Sequence, residues 1–475
     1  VEYGARVIST PVDIRGPRAL VPMLNVLRFF GDPVGQMLRL HRDYGSVAAV
    51  ADGRATLVCA FGAELNQHVI TQPALYQHST EIPVKAPPGS SLARFNQVLP
   101  FSNGEAHRRR RRLMMPAFQK SAIDAYVPDL VTVADAMLKR WPTLEVVDVA
   151  ALVRELTAAF AVRTLFGLDA LDAKEELAHV EAKLLESLSS PLSIALPFAV
   201  PGLPFHTALT LSAKVEARLR DVIATRRAQG GTGRDVLSML LSAKDEDGSA
   251  LSDDELVGEC NGLFVAGYDT GAQTLAWTLF LLVQHPSVLA ALLDELSVLS
   301  GAPPGPADFV KLPLLDRVLK ESMRLLPAAP MLFMRVASGD APLGPHTVPK
   351  GTTVVLSPLV THRDPGRFPE PAKFKPERWE STQPGAYEYL PFGVGARMCL
   401  GAPLANVVLR VLLPMVLQRF RLELVPDADV SRAMHGIALA PKHGLPMVLK
   451  PRDDSPPPPR VRVRGDVQQL VELPA

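Results

Sequence analysis

The chain has 475 residues, 47% of them hydrophobic, and 50 Lys and Arg stand against 49 Asp and Glu for a net charge of +1. A nearly neutral chain of this length excludes a globally basic nucleic-acid binder and carries enough apolar residues for one large core or two ordinary ones. Its three cysteines, Cys59, Cys260 and Cys399, lie far apart with no C-x-x-C pair, which argues against a disulfide framework and a four-thiolate zinc site and points to a reducing cytoplasm.

The start, VEYGARVISTPVDIRGPRALVPMLNVLRFF, has charges and prolines where a signal core would sit, and no apolar run reaches the roughly 18 residues of a membrane span. A cytoplasmic protein without a membrane span is therefore expected. No repeat of fixed period is present, so solenoids and propellers are not expected. SVAAVADGRATLVCAF alternates as a short β-hairpin with DGR as its turn. The arginine run of GEAHRRRRRLMMPAF reads as solvated or nucleic-acid-facing surface. On a helix, however, His107 and Arg111 share one face at i, i+4, while Arg108, Arg109 and Arg112 spread over the others.

Helical periodicity dominates from about residue 120 to 330, most clearly in ELVGECNGLFVAGYDTGAQTLAWTLFLLVQH and PSVLAALLDELSVL. Within the first, AGYDTG places Gly267, Asp269 and Thr270 where each works against helix stability or burial, and a kinked helix with a capped end would account for it. In KESMR, Glu321 and Arg324 sit at i, i+3 on one helix face and can pair; Glu105 and Arg108 repeat the spacing, so it is weak by itself. HTVPKGTTVVLSP returns to β alternation, and residues 362 to 395 form a Pro- and Gly-rich connection too long to be a simple turn.

FGVGARMCLG then crowds three glycines, an arginine and a cysteine ahead of an apolar helix. A lone cysteine there is ordinarily a small buried apolar residue. Here Gly393 and Gly395 allow a tight turn with exposed N–H groups, and Cys399 sits at the positive end of the following helix, both of which favour a thiolate. A thiolate without a partner cysteine or histidine suits a metal whose other ligands come from a cofactor, and thiolate-ligated haem is the known solution. Gly401 would let the helix backbone approach a porphyrin, and Phe392 would shield the sulfur. From residue 451 onward proline and charge take over, and PRDDSPPPPRVRVRGDVQQLVELPA is expected to be a tail outside the core, with RVRVR a solvated arm.

The stretch Phe392, Gly393, Gly395, Arg397, Cys399, Gly401 resembles the haem-binding signature of the cytochrome P-450 family. The resemblance implies a mainly helical fold with small β-sheets, a haem domain over 1–450 and a tail over 451–475. It makes Cys399 the axial ligand of a haem b iron and Arg397 a propionate partner, joined by His107, Arg111 and Arg335. It adds Arg378 of FKPERW to Glu321 and Arg324 as a structural cluster holding the cysteine loop. It places Ala266 and Gly267 beside the iron, with Asp269 and Thr270 delivering protons. Gly271 departs from the family, whose members often carry a second hydroxyl residue there.

The activity implied is insertion of one atom of O₂ into a lipophilic small molecule: a fatty acid, terpenoid or steroid-like compound. The alternatives are a peroxide-driven peroxygenase of the same fold, against which Asp269 and Thr270 count, and a non-catalytic haem sensor or carrier. The substrate pocket is expected to draw on Phe95, Val98 and Leu99, on SSPLSIALPFAVPGLPF, on Phe264 and Ala266, on Ala329 and Leu332, and on Ile437 and Ala438. Since no flavin- or nicotinamide-binding unit follows, NAD(P)H electrons are expected to arrive through a ferredoxin or flavodoxin and its reductase, with the protein a monomer. Arg108, Arg109 and Arg112 are the expected docking charges.

Overall fold

The computed structural model describes residues 14–18, 21–51, 56–80, 86–168, 174–190, 192–193 and 196–474. The chain forms two compact units, the first made of Val1–Thr80, Pro330–Pro369 and Pro384–Met398 and the second of Glu81–Ala329, Glu370–Gln383 and Cys399–Ala475.

The first unit opens with helices α1 (Pro22–Gly31) and α2 (Pro33–Tyr44), each with proline in its first turn, where a missing N–H costs nothing. The Asp32 carboxylate accepts from Gly35 N at 2.9 Å and caps α2. The expected hairpin is present as an antiparallel pair, Val47 opposite Ala60, though its DGR turn lies outside the described residues. Leu57–Ala60 then pairs in parallel with Thr353–Leu356, drawing both β-patterned stretches into one five-stranded sheet. Helix α3 (Ala63–Ile70) follows the second strand. Val58, Ala60, Val354 and Leu356 are buried on one face of the sheet and Leu57, Cys59 and Val355 on the other, as a pleat with period two requires.

The second unit is largely helical: α4 (Gly104–Met114), α5 (Lys120–Leu138), α6 (Val149–Phe166), α7 (Lys174–Ser189), α8 (Pro204–Ala228), α9 (Asp253–Gln284), α10 (Pro313–Leu325) and α11 (Ala402–Arg419). Helix α9 starts with a complete capping box, Ser252 with Glu255, and three acids in its first turn. It is buried without interruption from Ala272 to Gln284. At Gly258 an added Cβ would lie 2.8 Å from Gln97 O, so a glycine is what lets the 94–98 segment seat on α9. Helix α11 is long and apolar enough by composition to cross a bilayer, contrary to the expectation of no such run, but 56% of it is buried inside the protein.

Small sheets complete this unit. Pro446–Pro451 lies between Val146–Asp148 and Phe420–Leu424. Arg432–His435 and Ala438–Pro441 form an antiparallel hairpin whose tip, Gly436 and Ile437, precedes the PKHGLP segment.

The segment after residue 451 corrects the expectation of a free tail. Val463–Arg464 pairs in parallel with Ala428–Asp429, and Val463, Val467, Leu470 and Val471 are buried. The arm RVRVR is therefore half core: alternate residues face opposite sides, so a buried valine sits between solvated arginines.

Candidate active site

In the first unit, Gly393 and Gly395 have φ of +67° and +73°, which only glycine adopts without strain. Gly393 N donates to Leu390 O and Met398 N to Gly395 O, each at 3.0 Å, so the loop is two consecutive tight turns. Phe392 and Arg397 are half-buried. Arg335 is 4% exposed and donates to Phe333 O at 2.6 Å, with no ion pair among the described residues. Burial and the like charge of Arg397 push its guanidinium down to about 9, a cation that needs an anion. Leu332 packs on the sheet core of this unit.

In the second unit, Cys399 immediately precedes α11 and is open to solvent. Desolvation raises its thiol, against the backbone N–H groups of Gly401 and Ala402 and the charge of Arg111. The helix end and the loop are thus not sufficient alone to hold the thiolate expected from sequence, and a bound metal would do so. Gly401 stands where a Cβ would lie 3.9 Å from the Cys399 sulfur. His107 is buried and Arg111 half-buried, its guanidinium lowered by desolvation.

The remaining arginines of α4 correct the expected docking patch. Arg108 pairs with Glu105 at 2.8 Å, Arg112 with Glu105 and Asp245 at 3.2 and 3.1 Å, and Arg109 with Glu255 at 3.2 Å. Arg110, not singled out from sequence, is the buried one, 3.0 Å from Glu259. Four of the five arginines meet four acids, so most of the positive charge of the run is balanced locally, which weakens it as a docking patch for an acidic partner.

The AGYDTG motif lies mid-way along α9. Ala266 and Gly267 are exposed mid-way along a helix whose last thirteen residues are all buried, and a Cβ on Gly267 would meet nothing within 4 Å, so this face borders open space. Thr270 Oγ1 donates to Ala266 O at 2.8 Å on the same face. Asp269 is turned to the side: Oδ1 accepts from Gln273 at 3.0 Å and Oδ2 lies 3.0 Å from His435 Nδ1, with Arg154 at 3.8 Å. Phe264, expected in the substrate pocket, is buried with its ring 4.9 Å from that of Tyr268 and 6.2 Å from that of Phe166 of α6.

The other expected pocket residues differ in exposure. Phe95, Val98 and Leu99 are buried beside α9, Ala438 is buried, Ala329 is half-buried, and Ile437 is 42% exposed at the hairpin tip. In the stretch at 189–205, Leu192, Leu196, Phe198 and Val200 are exposed, while residues 191, 194 and 195 lie outside the described residues.

Glu321, Arg324 and Arg378 come together, all buried. Arg324 grips both Glu321 oxygens at 2.9 Å, and Arg378 Nε donates to Oε1 at 2.9 Å. Lys375 N and the Trp379 indole, not anticipated from sequence, add donors at 3.0 and 2.9 Å. The guanidiniums spend their other N–H groups on the carbonyls of Glu370, Pro371 and Lys373, so the cluster holds the 370–379 connection.

A buried acid outside every motif is Glu181 on α7, fully buried with both oxygens unpartnered and pushed up to about 8 by desolvation. Glu259 is displaced the same way, to about 7, desolvation outweighing Arg110. A raised carboxyl means that the folded state keeps a proton which the unfolded chain releases. Stability should then fall as pH climbs from 4.5 towards about 8. Glu181→Gln is expected to flatten part of that fall, gaining up to a few kcal/mol at pH 8 and nothing at pH 4 in chemical denaturation.

Among the described residues no three His, Cys, Asp or Glu side chains cluster to hold a metal ion, so a metal on Cys399 would take its other ligands from a cofactor. Within the second unit, the exposed cysteine and the open face at Gly267 fit a haem; within the first, the buried cation Arg335 fits a carboxylate.

Comparison with known proteins agrees with this donor set. The cytochrome P-450 family profile matches residues 14–447. The pentalenene oxygenase of Streptomyces avermitilis is 32% identical over 68% of this chain and 73% of its own length. The cyclooctat-9-en-7-ol 5-monooxygenase of Streptomyces melanosporofaciens is 32% identical over 86% of this chain and 89% of its own. A cyanobacterial protein solved with retinoic acid bound superposes with a TM-score of 0.82 at 25% identity, covering 93% of this chain and 100% of that one. The fold and donor set define a haem-thiolate oxidoreductase. The chain belongs to the cytochrome P-450 family and is a monooxygenase that uses haem and O₂ with electrons from redox partners.

Proposed function

We propose that this monooxygenase oxidises a terpenoid, with haem b as its cofactor and NAD(P)H electrons delivered by a ferredoxin or flavodoxin and its reductase. The observation that carries the substrate class is the likeness to relatives named for pentalenene and cyclooctat-9-en-7-ol. The apolar side chains of Phe95, Val98, Leu99, Ile437 and Ala438 support it, since a hydrocarbon skeleton is recognised mainly by apolar surface.

The bound haem would supply the oxidising power. Cys399 would hold its iron, and His107, Arg111, Arg335 and Arg397 are the expected partners of its carboxylates. Gly267 leaves room at the helix surface where a side chain would intrude. The Thr270 hydroxyl, anchored on Ala266 O, is a donor that can pass a proton or hold a water, and Asp269 is the acid that can recharge it.

A spectral titration of the haem-loaded protein against pentalenene, palmitate and a steroid tests the substrate class. The terpene should perturb the haem band at the lowest concentration and yield a product carrying one added oxygen. Preferential binding and oxidation of the fatty acid or steroid would overturn the assignment. Thr270→Ala should keep ligand binding while the peroxide lost per NAD(P)H rises on the order of tenfold. An unchanged peroxide fraction would remove Thr270 from proton delivery.

A further inference from the structure

The Asp269 carboxylate is 4% exposed and needs a route by which protons reach it. Its neighbours can be taken one by one. Gln273 on α9 accepts and donates but does not titrate. Arg154 on α6 lies 3.8 Å away and does not give up its proton in proteins. Tyr268 and Glu181 are buried, with the phenol oxygen and both carboxyl oxygens unpartnered, and Glu181, held up at about 8, is uncharged near neutrality. The Tyr268 phenol is raised by burial and by the two nearby acids, so it too stays neutral.

His435 is different in kind. Its ring lies 3.0 Å from Asp269 Oδ2, is 25% exposed, and belongs to the hairpin strand Arg432–His435 rather than to α9. The next residue, Gly436, sits with its Cβ position 3.4 Å from Leu185 of α7, which fixes the hairpin tip against that helix. Glu181, one turn before Leu185, is on the same face of α7, so Glu181, Tyr268, Arg154 and His435 enclose Asp269 from α7, α9, α6 and the hairpin.

We propose that His435 is a positioning residue for the oxygen chemistry: it holds Asp269 by a hydrogen bond and ferries protons to it from solvent. This rests on Asp269 and Thr270 delivering protons to the reaction. The protonated ring gives its Nδ1 proton to Oδ2, leaving a neutral imidazole and a neutral carboxylic acid. The ring then takes a proton from water, and Asp269 returns to carboxylate on passing its proton to the Thr270 side. No electron moves in these steps.

The test uses the haem-loaded protein and His435→Gln, which keeps a donor for Oδ2 but cannot titrate. Hydrogen–deuterium exchange of amides 432–441 in the resting protein, corrected for intrinsic rate, should show parent protection that rises several-fold as the pH of the solution is lowered stepwise from neutral to mildly acidic. The Gln variant should be flat. NAD(P)H consumption with pentalenene as probe and a ferredoxin–reductase pair as donor should lose its pH dependence and slow several-fold in the variant. A parent whose protection does not vary with pH overturns the proposal without any variant, and so does a variant with the parent's pH profile. If Thr270→Ala leaks peroxide while His435→Gln behaves as the parent, only the histidine route falls. If neither leaks, the assignment of Asp269 and Thr270 falls with it.

Discussion

Cys399→Ser is expected to abolish the thiolate-type carbon monoxide spectrum of the reduced protein and, with it, all oxygenation. A serine oxygen is a harder and less electron-donating ligand than sulfur, and it does not ionise at neutral pH. The substitution should cost little in the haem-free fold, because Cys399 is exposed and a serine hydroxyl can accept from the N–H groups of Gly401 and Ala402 as the sulfur does. The haem-free parent and variant should therefore unfold in denaturant within about 0.5 kcal/mol of each other. A parent-like carbon monoxide spectrum in the variant would remove Cys399 as the iron ligand. The raised thiol adds a second expectation: haem loading should release a proton, seen as acidification of a weakly buffered solution, and the variant should not show it.

The parts of this site that were legible in the sequence are those whose physics is local. The two glycines of the cysteine loop are needed because successive turns take φ to +67° and +73°, a constraint set within the loop itself. Glu321 and Arg324 meet because three residues of helix bring them together, whatever else surrounds them. By contrast, which arginine of α4 turns inward depends on Glu259, 149 residues from Arg110, and no period in RRRRR distinguishes the buried member from its neighbours. His435 and Asp269 are 166 residues apart, and nothing in RAMHGIALA marks its histidine as a partner for an acid. Helix α9 is apolar on most faces, so its pattern does not tell which neighbours Phe264 packs against. The last segment misled for another reason: four prolines at 456–459 read as a stiff exit, but the apolar residues after them, Val463, Val467, Leu470 and Val471, recur at near-helical spacing and are buried.

Glu321→Ala is expected to destabilise the protein by about 3–5 kcal/mol, because it leaves Arg324 and Arg378 buried without their counter-charge. Glu321 accepts from Arg324, Arg378, Lys375 N and Trp379, so its removal strands four donors. Two of these belong to guanidiniums that are 0% and 8% exposed and cannot turn to water. Loss of the whole cluster should be far less damaging than loss of its acid, since Glu321→Met with Arg324→Met and Arg378→Leu removes the desolvation cost along with the attraction. The arginines also hold the carbonyls of Glu370, Pro371 and Lys373, so the triple variant should fold yet expose the 370–379 connection to protease sooner than the parent. Denaturation followed by Trp379 fluorescence, with proteolysis of the same samples, separates the two effects. A Glu321→Ala loss below about 1 kcal/mol would show that water or rearrangement satisfies the guanidiniums, and the cluster would then be neither a lock on the connection nor a reason for its conformation.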